Sequence, residues 1–350
     1  MRGRLLMSRT AHRGGGSIGR AQRWRKFVLA AGMAAALAGS SLAAENTRIA
    51  ELVSSVVRLK THINPDGRTV EFLGREREGS GIVIDADGLV LTIGYLMVEA
   101  YAAEVEDNSA HVLPANVVGY DHETGFGLLR TIEPLKLKPM PLGKSSEVKE
   151  HDPVLIASFG GTSMAGVAQI VSKREFAGNW EYLLDEALFT APPHPAWSGA
   201  ALVNREGKLI GVGSLIVSDA AGGGEKMPGN MFVPIDRLPP ILGDLLATGR
   251  VERPGRPWLG INAEEIGGRL LVGRVTVGGP ADKAGIRRGD VIIGVGGEPT
   301  KYLADFYRKI WSRGAAGVSI PLDVQNDNQR RRVEVKSINR LDHLKLKSSF

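Results

Sequence analysis

One serine, Ser198, stands in the part of the chain best suited to chemistry. It lies in the run Ala196–Ala200, which is rich in small residues and leads into the apolar stretch Ala201–Val203. Small residues around a serine allow a tight turn whose backbone amides converge on one point, and a following strand holds that turn. We therefore expect Ser198 to be a candidate nucleophile, with Ala196 and Ser198 forming the oxyanion hole. A serine hydroxyl needs a base to take its proton.

Short strands are the elements that would have to position this turn. Between Gly81 and Leu215, runs rich in valine, isoleucine and leucine are separated by glycine, asparagine and Asp-Gly signals. Asp87-Gly88, between two apolar runs, is typical of a hairpin turn. Strands at these intervals predict a sandwich or a pair of barrels. The polar segment 248–257, which contains two prolines and a glycine, is predicted to be a linker to a second unit.

Two further stretches carry a family resemblance. Gly79–Thr92 has a Gly-Ser-Gly, a strand, a turn and a second strand, and Asp121–Leu129 has Asp-His-Glu-Thr-Gly before an apolar strand. With the Ser198 run, they resemble the HtrA family of exported serine peptidases, over nearly all of residues 50–340. The resemblance implies a mostly β chain with a chymotrypsin-like double β-barrel followed by one PDZ domain. The implied domains are 47–247 for the barrels, 248–257 for the linker, 258–340 for the PDZ domain and 341–350 for a tail.

The same comparison with the family pattern indicates a loss of activity. Tyr95 occupies the position of the family's catalytic histidine, and Gly125 that of its aspartate. Near pH 7 a tyrosine is a far weaker base than an imidazole, and glycine offers no side chain. Loss of the triad costs roughly six orders of magnitude in turnover. We therefore expect a pseudopeptidase.

Other interpretations of these residues stay open. His194, in the same loop as Ser198, and His122, close to Gly125, are the histidines that could replace the missing base. The alternative function is therefore an active serine endopeptidase with a non-standard base. Ser198 could also be retained only because the turn tolerates little else. From its size, Trp197 is expected to fill the former substrate pocket.

The second unit carries a peptide-binding pattern. Leu259-Gly260-Ile261 resembles the carboxylate-binding loop of HtrA-type PDZ domains, and Gly279–Ile292 matches the family's Pro-Ala-x-x-Ala-Gly-Ile-x-x-Gly-Asp-Val-Ile segment. Amides in such a loop can bind a chain-terminal carboxylate, and the strand edge can accept a peptide as an added strand. Peptides or protein C-termini are the implied partners, with unfolded proteins as a further expectation. The expected peptide-binding residues are Trp258, Leu259, Gly260, Ile261, Leu303, Phe306, Tyr307 and Ile310.

Composition limits the remaining function classes. The formal net charge is +6, but eight arginines and lysines and no acid lie in residues 1–44, so the rest carries −2 and no nucleic-acid partner is expected. Residues 1–44 have the basic start, apolar run and small residues of a signal peptide, which predicts a periplasmic protein or, alternatively, a membrane-anchored one. No cysteine is present, and no ligand spacing predicts a metal or another cofactor. A homotrimer is a further alternative implied by the resemblance.

Overall fold

The structure is a computed structural model that describes Thr47 and residues 49–224, 226–327 and 329–346. Strands account for 44% of it and helices for 17%, which confirms the mostly β class. The predicted signal peptide of residues 1–44 lies outside the described residues. Within the described ranges, no helix has the length and apolar character needed to cross a membrane.

The first six strands close into a barrel in the order β1-β2-β3-β6-β5-β4. In β1 the side chains of Val57, Leu59 and Ile63 are buried while Arg58 and Lys60 are less so, which is the alternation of a strand with one face on a core. A short 3₁₀ turn, Gly94–Leu96, follows β3. The elements are β1 (Val56–Ile63), α1 (Val70–Leu73), β2 (Glu76–Val83), β3 (Leu89–Ile93), β4 (Ala100–Glu106), β5 (Val112–Tyr120) and β6 (Phe126–Thr131).

The next six strands close into a second barrel in the order β10-β11-β12-β9-β8-β7. Its core includes Ile156, Leu202 and Phe232. Three 3₁₀ turns, Ser145–Glu147, Gly161–Met164 and Ile235–Arg237, accompany this barrel. The longer elements are β7 (Pro153–Ala157), β8 (Ala165–Gly178), β9 (Tyr182–Ala191), β10 (Ala201–Val203), β11 (Leu209–Val217), β12 (Gly229–Pro234) and α2 (Pro239–Thr248).

A third sheet with order β13-β14-β15-β17-β18 follows, with β16 paired to β15. Leu303, Phe306, Tyr307 and Ile310 lie on one face of α4 at helical spacing, and all four are buried in the core under this sheet. The double barrel and this sheet confirm the predicted fold class. The elements are β13 (Ile261–Ile266), β14 (Arg269–Val275), α3 (Pro280–Lys283), β15 (Val291–Val295), β16 (Glu298–Pro299), α4 (Leu303–Trp311), β17 (Ser319–Asn326), β18 (Gln329–Lys336) and α5 (Arg340–His343).

The β8–β9 hairpin of the second barrel reaches this third sheet. Leu183, at the start of β9, belongs to the same buried cluster as Leu259 and Phe306, and Ala177 packs against it. The predicted linker also has fixed contacts, because Arg253 lies 2.7 Å from Asp121 of the first barrel. The chain from Ala50 onward forms one compact unit. The domain boundaries expected from the sequence stay predictions.

Candidate functional site

The Ser198 turn precedes β10 and is held against the first barrel. The amide of Ser80, in β2, donates to the carbonyl oxygen of Ser198 at 2.8 Å. Gly199 has a φ of 73°, and a Cβ at this position would clash with the carbonyl oxygen of Ser80. Only glycine meets both demands without strain. The turn therefore keeps the tight shape that the small residues predict.

Tyr95 meets Ser198 directly. Its hydroxyl oxygen lies 2.8 Å from Ser198 Oγ and 2.9 Å from the carbonyl oxygen of Ser214. Burial raises the pKa of Tyr95 to about 12, so the phenol keeps its proton at neutral pH. Among the described residues, Tyr95 is the one side chain within hydrogen-bond distance of Ser198 Oγ. The hydroxyl thus has a neutral partner that cannot accept its proton as a base would.

Gly125 provides no side chain at the position of the missing carboxylate. It has a φ of 83°, and a Cβ there would lie 3.2 Å from the hydroxyl of Tyr182 and 3.4 Å from Ile93. Tyr182 is buried, and its hydroxyl donates to the carbonyl oxygen of Thr124 at 2.7 Å. A Cβ at position 125 would therefore meet an aromatic side chain from the second barrel closely, and that side chain would have to shift by a few tenths of an ångström.

His194 is engaged within its own loop. Its Nδ1 accepts a hydrogen bond from the amide of Ala196 at 3.3 Å, and its own amide donates to Asn230 Oδ1 at 2.6 Å. Burial lowers the pKa of His194, which favours the neutral ring that this acceptor role requires. The arrangement also uses up Ala196 N–H, one of the two donors expected to form the oxyanion hole. His194 and Ala196 thus bind each other.

His122 is half-buried near Gly125. Burial lowers the pKa of His122 to about 4, and the nearby guanidinium of Arg340 acts in the same direction. Within the described part of the chain, its Nδ1 has no hydrogen-bond partner. The neighbouring carboxylate of Asp121 is bound by Arg253 instead. His122 is therefore neutral at pH 7 and is not within hydrogen-bond distance of Ser198.

A cavity of about 410 Å³ opens beside Tyr95. Trp197 forms part of its wall, together with Ser214. Ser198 is not among the residues that line this cavity, so the expectation that Trp197 fills the pocket beside Ser198 stays a prediction. The other lining residues are mostly apolar or aromatic and include Phe72, Leu73, Ile93, Val98, Tyr120, Trp180, Tyr182, Leu215 and Leu344.

The Leu259–Ile261 loop of the third sheet binds a carboxylate that belongs to this same chain. Glu181, in the turn between β8 and β9, accepts hydrogen bonds from the amides of Leu259 at 2.9 Å, Gly260 at 2.7 Å and Ile261 at 2.9 Å. Burial raises the pKa of Glu181 to about 7, although the three amides and Arg340 favour the charged form. The loop has the anion-binding geometry predicted for it, and its site is occupied.

The remaining residues expected to bind peptide divide into two groups. The hydroxyl of Tyr307 donates to the carbonyl oxygen of Gly178 at 2.7 Å and accepts from the amide of Glu181 at 3.0 Å. Leu303, Phe306 and Ile310 are core side chains that are at most 4% exposed. Trp258 is also buried, with its ring 4.8 Å from that of His343. In the described part of the chain, all four of these side chains are buried.

Sequence reasoning missed Glu181. Its place after Gly178-Asn179-Trp180 indicates only a hairpin turn, and its partners lie 78 to 80 residues further along the chain. The structure places Glu181 at a left-handed turn position, with a φ of 59°. Such positions favour glycine or asparagine, so a glutamate here is unusual, but the sequence alone does not show this backbone angle. Among the described residues, no group of histidines or acids has the geometry of a metal site.

Comparisons with known proteins agree with this architecture. The family model for the trypsin-like peptidase domain matches residues 79–212, and that for the PDZ domain matches residues 257–337. A probable periplasmic serine endoprotease DegP-like of Ectopseudomonas mendocina is 30% identical over 279 residues, which cover 75% of this chain and 57% of that protein. Serine protease PepD of Mycobacterium tuberculosis is 29% identical, with 79% and 62% covered. This chain thus spans less than two thirds of the length of either relative.

Among solved structures, an HtrA-type protease AlgW variant with a tripeptide has a TM-score of 0.50 and 20% sequence identity. The match covers 84% of this chain and 96% of that one. At this identity the likeness concerns the fold.

Proposed function

Since the chain belongs to the HtrA family of trypsin-like serine peptidases with a PDZ domain, we propose that it is a pseudopeptidase of that family. It recognises peptides or protein C-termini through the PDZ domain and does not cleave them. Relatives named as periplasmic endoproteases and the predicted signal peptide support the periplasm as its compartment. Quality control or regulation of envelope proteins is the corresponding role.

The hydrogen bond between Tyr95 and Ser198 carries this proposal. At 2.8 Å it places a phenol with a pKa of about 12 where a catalytic serine needs a general base. A base able to act near neutral pH must have a pKa near the working pH. The Ser198 proton therefore has no acceptor, and Gly125 could not orient an imidazole if one were present.

The oxyanion site supports the same conclusion. In acyl transfer, donors must point at the position where negative charge develops, and loss of one donor costs about a hundredfold to a thousandfold in turnover. Here the amide of Ala196 donates to His194 instead. The remaining turn shape is explained by the contact between Ser80 and Ser198 that joins the two barrels.

The PDZ loop supports the binding part of the proposal. Three successive amides, Leu259 to Ile261, converge on one carboxylate oxygen of Glu181 at distances from 2.7 to 3.1 Å. A terminal carboxylate of a peptide has the same chemistry as this side chain. The loop is therefore built for the class of ligand that the family resemblance implies.

Covalent labelling tests the absence of catalysis. We expect that a fluorophosphonate probe labels the purified protein no more than the Ser198→Ala variant does, and that neither degrades unfolded casein. An active HtrA peptidase handled in parallel shows that the probe and the casein are competent. Labelling and cleavage that both disappear in Ser198→Ala would instead establish an active endopeptidase with a non-standard base.

The oligomeric state stays a prediction of the resemblance. A solution mass of three chains, measured by light scattering, would support a trimer in which the barrels act as an assembly unit. The mass of a single chain would rule that role out.

A further inference from the structure

The turn between β8 and β9 occupies the PDZ groove in the manner of a ligand. The carboxylate of Glu181 accepts hydrogen bonds from the three loop amides described above. The amide of Ala263, in β13, donates to the carbonyl oxygen of Asn179 at 3.0 Å. A carboxylate in the amide loop together with a backbone bond to the adjoining strand is what a bound peptide would make by strand addition. The turn therefore satisfies the same donors that a peptide ligand would use.

Additional contacts fasten the turn in place. Tyr307 bridges Gly178 and Glu181 through its hydroxyl, and Arg340 donates to the carbonyl oxygen of Trp180 at 3.3 Å. Leu183 adds apolar contact within the PDZ core. Glu181 itself is only 6% exposed. These contacts are too many and too well buried for a chance approach of two surfaces.

The backbone of Glu181 indicates that its side chain is needed. Its φ of 59° lies in the left-handed region. This region costs a non-glycine residue roughly 1–2 kcal/mol. Glycine or asparagine would form this turn with less strain. A glutamate here is stabilised by what its carboxylate binds, which is the amide loop.

We propose that the β8–β9 turn is a tethered ligand of the PDZ groove, in which the Glu181 side chain stands in for a terminal carboxylate. A peptide with a free C-terminal carboxylate binds only by displacing this turn, since both need the amides of Leu259 to Ile261. This inference rests on the proposed peptide-recognition function and specifies how that site is controlled.

Displacement has a consequence for the first site. Trp180 and Tyr182 flank Glu181, and both line the cavity beside Tyr95. Their rings are stacked with centroids 5.6 Å apart, and the Tyr182 hydroxyl lies against Gly125. A ligand that removes the turn therefore loosens one wall of the cavity, so the two sites are physically linked.

The test compares Glu181→Ala with wild type in the full chain. Glu186→Ala is the matched control, because Glu186 is an exposed glutamate on the same hairpin. The probe is a fluorescein-labelled pool of randomised decapeptides with a free C-terminal carboxylate, and the same pool with an amidated C-terminus reports binding that does not use the carboxylate. Fluorescence polarisation gives the apparent Kd, and hydrogen exchange reports the protection of the amides of Leu259 to Ile261.

We expect Glu181→Ala to bind the carboxylate pool at least about tenfold more tightly than wild type. In the variant the turn no longer occupies the groove, so a larger fraction of molecules is free to bind peptide. The affinity of Glu186→Ala for the carboxylate pool should match that of wild type. The amidated pool should show no such gain in affinity for any of the three proteins. In the absence of peptide, the three loop amides should lose protection in Glu181→Ala alone. Equal affinities for wild type and Glu181→Ala would overturn the proposal.

Two further outcomes are also decisive. If Glu181→Ala fails to fold, hydrogen exchange in wild type with saturating peptide decides. Exposed amides in residues 178–182 would show that the turn is displaced. Protected amides there would overturn the proposal. If wild type and a folded Glu181→Ala both fail to bind the pool, the proposed peptide recognition is wrong. The proposed competition between peptide and turn is then wrong as well. Lost protection of the loop amides in that variant would still establish the tether.

Discussion

The serine turn and the PDZ loop are both sites in which backbone amides are arranged around a point of negative charge. At the serine turn the reacting groups have been replaced, yet the turn and its contact with the first barrel remain. At the PDZ loop all three amides are present and well aligned, but a side chain of the same chain already occupies them. One site keeps its shape but lacks the histidine and aspartate of the family pattern, whereas the other keeps its three amide donors and has them occupied.

Under the two proposals, this difference separates two ways in which a site is kept inactive. Under the proposed function, replacing Tyr95 alone should not produce an active site, because Gly125 still provides no carboxylate and His194 still holds the amide of Ala196. The second site requires only that a turn moves away. We therefore expect substitutions in the barrel to affect mainly stability, and substitutions around Glu181 to affect binding.

The largest expected loss of stability comes from a substitution in the serine turn. Gly199→Ala should lower the free energy of unfolding by at least about 3 kcal/mol, because the new methyl group meets the Ser80 carbonyl at a left-handed backbone position. Urea unfolding measures the change. The control is Gly223→Ala, since Gly223 has a φ of 66° and a Cβ there would meet no heavy atom within 4 Å. This control should cost about 1 kcal/mol. Equal losses would show that the retained turn has no structural role.

The pH dependence of stability tests whether His122 is held neutral. Its pKa of about 4 lies below the ordinary 6.5, so its contribution is complete above pH 6.5 and is lost as the pH falls toward 4. The His122 contribution to stability should fall by on the order of 2–3 kcal/mol over that interval. Glu181, whose pKa is raised to about 7, contributes in the opposite direction. His122→Asn should abolish only the His122 part of the slope.

Urea unfolding at pH 7 and pH 4.5 gives the two stabilities. The variant of an exposed histidine, His111→Asn, keeps His122 and should keep the wild-type slope. An imidazole resonance of His122 that titrates near pH 6.5 would contradict the assignment and make this residue a candidate base again.

A smaller effect is expected at the PDZ groove. Tyr307→Phe leaves the carbonyl of Gly178 and the amide of Glu181 buried without their partner. Because an unsatisfied buried group costs the full desolvation penalty, the free energy of unfolding should fall by about 2 kcal/mol. Hydrogen exchange at the turn should also increase. Tyr302→Phe serves as the control because Tyr302 is 47% exposed. No loss in Tyr307→Phe would mean that the Tyr307 hydroxyl does not help to hold the turn.

The smallest effect is expected for the serine itself. Ser198→Ala should change the free energy of unfolding by no more than about 1 kcal/mol, since Tyr95 keeps the Ser214 carbonyl as its acceptor. Thermal and urea unfolding beside the exposed control Ser163→Ala would measure it. A loss above about 2 kcal/mol, which exceeds the net contribution of one ordinary hydrogen bond, would mean that the Ser198 hydroxyl stabilises the junction between the barrels.

Short sequence patterns predicted the features that depend on neighbouring residues, such as strands and turns. The strand runs, the Ser198 turn and the Gly279–Ile292 segment led to the correct fold class, and Tyr95 does lie against Ser198. The contacts that close the two sites join distant parts of the chain, as Tyr182 does with Gly125 and Glu181 with Gly260. Neither partner contains a pattern that points to the other. Such pairings depend on how the hairpin packs on the PDZ core.

The C-terminal segment has a consequence for how the groove could open. After α5 the chain returns to the first barrel, where the amide of Lys345 donates to the carboxylate of Glu99 at 2.7 Å, while Arg253 ties the preceding segment to Asp121. The PDZ domain is thus fastened on both sides, so a displaced Glu181 stays close to its loop. Its effective concentration there is on the order of millimolar, as for a short tether. A weakly binding peptide would be outcompeted by this tethered carboxylate, whereas a peptide with several carboxylates that rebind in turn would hold the groove open.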